Sequence, residues 1–97
     1  MDRHLAFTRL AELLPIARTR FGVRELSVFG SVVRGEASET SDLDLLVDFA
    51  GPATFDGYMG LKFFLEDRLG VKVDVVTREA LKPRLRDRIE AEARRVP

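Results

Sequence analysis

Three short runs rich in aliphatic and β-branched residues alternate along this chain with three stretches of helical periodicity, and that alternation confines it to a layered α/β arrangement. From about Arg3 to Phe21, the residues Phe7, Leu10, Leu13, Leu14, Ala17 and Phe21 recur at three- and four-residue spacings and form one apolar stripe. Pro15 sits inside that stripe and predicts a kink or a split, because it lacks an N–H and crowds the preceding turn. Arg24–Phe29 reads as a strand with Leu26 and Val28 on one face. Residues 30–35 read as a turn with room for one helical turn, and residues 36–41 as a polar loop. Asp42–Phe49 is a second strand, ended by Gly51-Pro52. Asp56–Leu69 is a helix closed by Gly70, with Tyr58, Leu61, Phe64 and Leu65 turned inward. Val71–Thr77 is a third strand, with Val71, Val73 and Val75 on one face and Lys72, Asp74 and Val76 on the other. Pro83 suits the first turn of a last helix, where Leu85, Ile89 and Ala93 recur every four residues. The expected fold class is α/β (α+β): a small mixed sheet of three strands or slightly more, flanked by helices, in the order α-β-(α)-β-α-β-α. Its 97 residues are expected to form one domain.

Charge and composition exclude several functions. Lys and Arg together number 16, as do Asp and Glu, for a formal charge of zero. A general nucleic-acid binder needs excess positive charge to displace counterions, so none is expected, although one local site can still hold a nucleotide. The absence of cysteine removes disulfides and thiolate zinc sites, and a single histidine, His4, removes a multi-histidine metal site. The apolar runs are too short to cross a bilayer, and Asp2, Arg3 and His4 leave no signal-peptide core at the start, so a cytoplasmic protein is expected. There is no Asn or Gln, and Arg far outnumbers Lys. Depletion of thermolabile amides marks heat-adapted proteins, and a GC-rich genome would also give the Arg bias.

The chemistry concentrates in the second strand. Asp42 and Asp44 stand two residues apart, which on a strand points both carboxylates to one face and sends Leu43 and Leu45 to the other. Two close carboxylates repel each other, and Asp is a poor strand former, so a divalent cation is the natural compensation. Mg²⁺ prefers such hard oxygen ligands together with substrate phosphates. Asp74 repeats the anomaly among the valines of the third strand; with the strands side by side it reaches the same place. Three carboxylates around two cations suit phosphoryl chemistry. Gly30-Ser31 directly follows the first strand. Glycine admits a phosphate close to the backbone, the Ser31 hydroxyl can donate to it, and Arg34 can add a charge-assisted contact. An antiparallel first pair of strands brings Gly30-Ser31 opposite Asp42 and Asp44.

Gly-Ser, ten residues and then Asp-x-Asp resembles the signature of the DNA polymerase beta-like nucleotidyltransferase superfamily. The wider segments F-G-S-V-V-R-G-E-A, S-D-L-D-L-L-V-D-F and V-D-V-V-T resemble its smallest branch, the minimal nucleotidyltransferase (MNT) antitoxins, over about residues 26–77. The resemblance implies that Asp42, Asp44 and Asp74 are the catalytic and metal carboxylates. It assigns nucleotide phosphates to Gly30 and Ser31, and Mg²⁺, as two ions, with ATP as the donor. It also implies a partner, a HEPN-domain ribonuclease toxin that is silenced when AMP is moved onto one of its tyrosines. The toxin's own R-x4-6-H motif is absent, since His4 lies too near the start.

Bland readings stand beside these. Asp42 and Asp44 alone fit a turn cap and an exposed strand residue, Asp74 fits an incidental surface Asp, and Arg34 fits a solvated loop. Asp48 keeps the parity of Asp44 but is expected to face solvent at the strand end. Lys62 fits a nucleotide contact from the middle helix, but is expected on a solvated face, and Met59 with Phe63 fits either core packing or a strip for a partner or dimer mate. Two rival functions remain: an antitoxin that only masks its toxin, and a small-molecule adenylyltransferase, for whose usual extra domain there is little room. A homo-oligomer stays open.

Overall fold

The computed structural model describes residues 1–38 and 42–97; the end of the expected polar loop, residues 39–41, lies outside them. The elements are α1 (Arg3–Phe21), β1 (Val23–Phe29), α2 (Ser31–Arg34), β2 (Leu43–Phe49), α3 (Phe55–Leu69), β3 (Val73–Thr77), a 3₁₀ turn (Arg78–Ala80), α4 (Pro83–Glu92) and β4 (Arg94–Arg95). Four strands form one mixed sheet in the order β3-β2-β1-β4. β1 runs antiparallel to β2 and to β4, while β2 and β3 are parallel, with α3 as their crossover.

Alternation decides which face of the sheet is covered. Leu26 and Val28 of β1, Leu43, Leu45 and Val47 of β2, and Val73 and Val75 of β3 join Leu10, Leu14, Leu61 and Leu65 of α1 and α3 in one buried cluster. The other parity of β2 and β3 carries Asp44, Leu46, Asp48 and Asp74. Leu46 and Leu81 are buried outside the main cluster.

Five details differ from the sequence expectation. α1 runs unbroken through Pro15. Pro15 lies on the exposed side, between Leu14 and Ala17 in the core, so the missing N–H costs one backbone bond on the wet side while packing holds the helix on the other. β3 starts at Val73, and Val71 is only partly buried against the core. Residues Arg94–Arg95 pair with Val28 and Ser27 as a fourth strand, which two adjacent arginines do not advertise. α4 buries no residue fully, and Leu85 is exposed. Asp48 stays on the outer face but is largely covered rather than open to solvent: its carboxylate takes both Nε (2.9 Å) and Nη2 (2.5 Å) of Arg24.

The outer edge of β3 is tied to α3 by three side chains one helical turn apart. Tyr58 donates its hydroxyl to the Val75 carbonyl (2.5 Å) and Lys62 its ammonium to the Val73 carbonyl (2.5 Å). Glu66 accepts from the Val73 N–H (3.0 Å) and from Lys62 (3.0 Å). Lys62 is therefore a clamp on the sheet rather than a solvated residue. The Val73 N–H, and then Lys62, hold the Glu66 carboxyl below its ordinary value of 4.5. A lowered folded pKa means that the ionised form stabilises the fold: the contribution is complete above the ordinary value and is lost as pH falls through the lowered one. Glu66→Gln is expected to lower the melting temperature near neutral pH, with the gap to the parent chain closing in acid; thermal unfolding across that range checks it. Among the described residues, no helix is long and apolar enough to cross a membrane.

Candidate active site

The β1–β2 pairing places the first half of the site. Phe29 lies opposite Asp44, so the next residue, Gly30, comes against the Asp44 side chain. Gly30 has φ 77° and ψ −151°, a region that side chains other than hydrogen do not tolerate. A Cβ at Gly30 would stand 2.1 Å from Asp44 Oδ2 and 2.9 Å from its Cγ. The glycine is thus required twice, by its backbone and by the carboxylate leaning on it. Ser31 follows as the first residue of α2, and Arg34 is the last.

The β2–β3 pairing places the second half. Asp44 and Asp74 are register partners in a parallel ladder, so both side chains leave the same face on strands about 4.8 Å apart. Asp42 is not part of β2: the chain joins the sheet at Leu43, whose N–H bonds the Lys72 carbonyl (2.9 Å), and Asp42 is exposed just before it. The expected strand pair of carboxylates is therefore one carboxylate on the strand and one at its mouth.

Asp44 is half-buried, and its carboxyl is pushed above its ordinary value of 3.8. Burial is the main cause, followed by repulsion from Asp74 and Asp42; Arg34 opposes it and Glu92 adds to it. Among the described residues, no three acidic or imidazole side chains are gathered closely enough to close on a metal ion. Asp74 and Asp42 repel the Asp44 carboxylate, and a divalent cation would offset that repulsion. The all-oxygen donor set of Asp42, Asp44 and Asp74 suits a hard ion such as Mg²⁺.

Arg34 is exposed and doubly paired, with its Nε on Glu36 (3.1 Å) and its Nη1 on Glu92 Oε1 (2.7 Å). The hydrogen bond to Glu36, then the charge of Glu92, raises its pKa further. The same Glu92 oxygen accepts from the Gly30 N–H (2.6 Å). Glu92 had no signal in the sequence: it is one charged residue among many in a polar helix, 62 positions from its glycine partner.

On the far side of Asp74 lies an open cleft of about 460 Å³ between the start of α3 and the 3₁₀ turn, lined among others by Phe55, Tyr58, Asp74, Val76 and Thr77. Phe55 and Phe63 of α3 are exposed, while Met59 between them is half-buried. Strand pairing thus gathers Gly30, Ser31, Asp44 and Asp74, with Arg34 and Asp42 at the rim. Lys62 and Asp48 serve the sheet instead.

The sequence and the fold match known proteins. The family model of the nucleotidyltransferase domain covers residues 10–96. A protein adenylyltransferase MntA of Thermococcus cleftensis is 52% identical over 65 residues, spanning 67% of this chain and 66% of that relative. A proposed protein adenylyltransferase of Methanocaldococcus jannaschii is 43% identical over 82 residues, 84% of this chain and 87% of the relative. Among solved structures, one described as a minimal nucleotidyltransferase superposes with a TM-score of 0.83 at 45% identity, covering 97% of this chain and 95% of its own. A Shewanella oneidensis complex of an MNT antitoxin with a tri-AMPylated HEPN toxin shares the fold, with a TM-score of 0.71 at 18% identity over 98% of this chain and 71% of that one. The glycine pressed on Asp44, the paired Asp44 and Asp74, and a family match across nearly the whole sequence agree: the chain belongs to the nucleotidyltransferase family, among the minimal enzymes related to the protein adenylyltransferases.

Proposed function

We propose that this chain transfers AMP from ATP to a hydroxyl of a partner protein, a HEPN-domain toxin whose tyrosine is the acceptor, and so acts as the antitoxin of a pair. The observation that carries this reading is the contact of Gly30 with Asp44, beside Asp74 in register. It presses the turn that leads into Ser31 against two carboxylates on one face. Relatives named as protein adenylyltransferases, and a structural neighbour in complex with an AMPylated toxin, support the acceptor class.

In this reading Gly30, Ser31 and Arg34 hold the triphosphate, and Asp42, Asp44 and Asp74 hold Mg²⁺. The ion, when bound, neutralises phosphate charge and lowers the pKa of the attacking hydroxyl. The acceptor oxygen forms a bond to the α-phosphorus, the α–β phosphoanhydride bond breaks, and pyrophosphate leaves. Asp74 borders both the carboxylate face and the apolar cleft, so it is placed to take the hydroxyl proton of a side chain arriving from that cleft. A flat aromatic ring suits a cleft walled by Phe55, Tyr58 and Val76.

The test is incubation with α-labelled ATP, Mg²⁺ and the toxin encoded beside this chain. Label is expected on the toxin, and none with Asp42→Ala and Asp44→Ala combined. Transfer that survives the double substitution would sink the carboxylate mechanism. Toxin silenced equally well by that variant without ATP would replace catalysis by masking.

A further inference from the structure

Glu92 places a carboxylate where the reading above places a phosphate. One oxygen, Oε1, accepts both the Gly30 N–H (2.6 Å) and the Arg34 guanidinium (2.7 Å). These are two of the donors assigned to the triphosphate. A carboxylate oxygen and a phosphate oxygen make the same charge-assisted bond to such donors at the same distances. The Gly30 amide carries one proton, so it serves one of the two acceptors at a time.

We propose that Glu92 is an internal stand-in for a nucleotide phosphate, which the triphosphate must displace from Gly30 and Arg34 in order to bind. This rests on the nucleotide-binding reading of the site. Release is cheap on structural grounds. Glu92 is the last residue of α4, a helix with no fully buried residue, and its side chain is 30% exposed. It can swing outward without unpacking the core. Its charge also adds to the field that Asp74 and Asp42 exert on Asp44, so the contact that orders the Gly30 turn crowds negative charge there. A ligand lacking phosphate has nothing to displace. Glu92 therefore acts on the phosphate part of affinity alone and sets how much of the nucleotide's binding survives as net affinity.

Calorimetric titration with a non-hydrolysable ATP analogue and Mg²⁺ separates the outcomes, with adenosine as the control. Glu92→Gln keeps the shape and weakens the acceptor, and is expected to tighten the analogue about fivefold to tenfold while adenosine is unchanged. Glu92→Asp keeps the charge but is one methylene too short to bring its oxygen to the two donors, and is expected to tighten binding as well. Tightening by Gln but not by Asp would mean a diffuse charge effect and overturn the proposal. Equal or weaker binding by both variants would also overturn it, making Glu92 a prop for Arg34 while the nucleotide reading stands. No binding by any form would overturn both readings together. A readout free of substitutions is the NMR shift of the Gly30 amide and of the Glu92 side-chain carboxyl carbon in the parent protein. Titration with the analogue is expected to move the Glu92 signal to its free-solvent position as the Gly30 amide shifts; a Glu92 signal that stays put under saturation overturns displacement.

Discussion

Gly30→Ala is expected to remove nucleotidyl transfer and to lower stability at the same time, because the added methyl violates two constraints at once. At φ 77° and ψ −151° the backbone lies in a region essentially reserved for glycine, and a non-glycine residue there costs about 1–3 kcal/mol. The methyl also falls 2.1 Å from Asp44 Oδ2, so the carboxylate must rotate away. A displacement of about 1 Å in a catalytic group costs on the order of 10²-fold in rate, and here the Gly30 turn and the carboxylate move together. Each kcal/mol of strain lowers the melting temperature of a domain of this size by about 4–8 °C. The measurements are labelled-AMP transfer and thermal unfolding on the same preparation. Full activity with an unchanged melting temperature would mean that the loop adopts another path in solution.

Asp44→Asn is expected to move activity and stability in opposite directions. The amide cannot neutralise a cation, and a metal contribution of several kcal/mol to the transition state corresponds to about 10³-fold or more in rate. The free protein, however, is relieved of a half-buried carboxylate repelled by Asp74 and Asp42. Because the folded pKa of Asp44 is raised, its ionised form opposes folding. That penalty is complete above the raised folded value, shrinks as pH falls, and is gone below the ordinary value of 3.8. Without added metal, the variant is expected to melt a few degrees above the parent near neutral pH and level with it in acid. A variant less stable than the parent at every pH would show that Asp44 makes a favourable contact outweighing its burial.

Much of this was legible because short-range patterns and long-range pairing agree. The parity of Leu26, Val28, Leu43, Leu45, Val47, Val73 and Val75 follows from the two-residue period of a strand, and all seven are buried. The same parity exposed Asp44 and Asp74 as residues against the grain, and strand pairing then made them neighbours. What escaped depends on contacts that no local period encodes. Asp42 looks like a strand residue until the Lys72 carbonyl sets the ladder to begin at Leu43. Arg94 and Arg95 form a strand only because β1 offers a free edge. Asp48 is covered because Arg24 lies across the hairpin from it. Glu92 meets Gly30 through the return of the chain after α4, and a glutamate in a charged helix looks like any other.

The ladder of Tyr58, Lys62 and Glu66 has a consequence for how this molecule meets others. A mixed sheet of four strands ends in two edges, and a bare edge invites strands from other chains to add on. On the β3 side, three helical side chains already occupy the outward Val73 N–H and the Val73 and Val75 carbonyls, acting as a surrogate strand. On the β4 side, the edge is two residues long and presents two exposed arginines. Both flanks are thereby poor templates for strand addition, in a small protein that also exposes Phe55 and Phe63. Recognition at these flanks therefore depends on side chains, and so on sequence, rather than on backbone hydrogen bonds that every chain possesses.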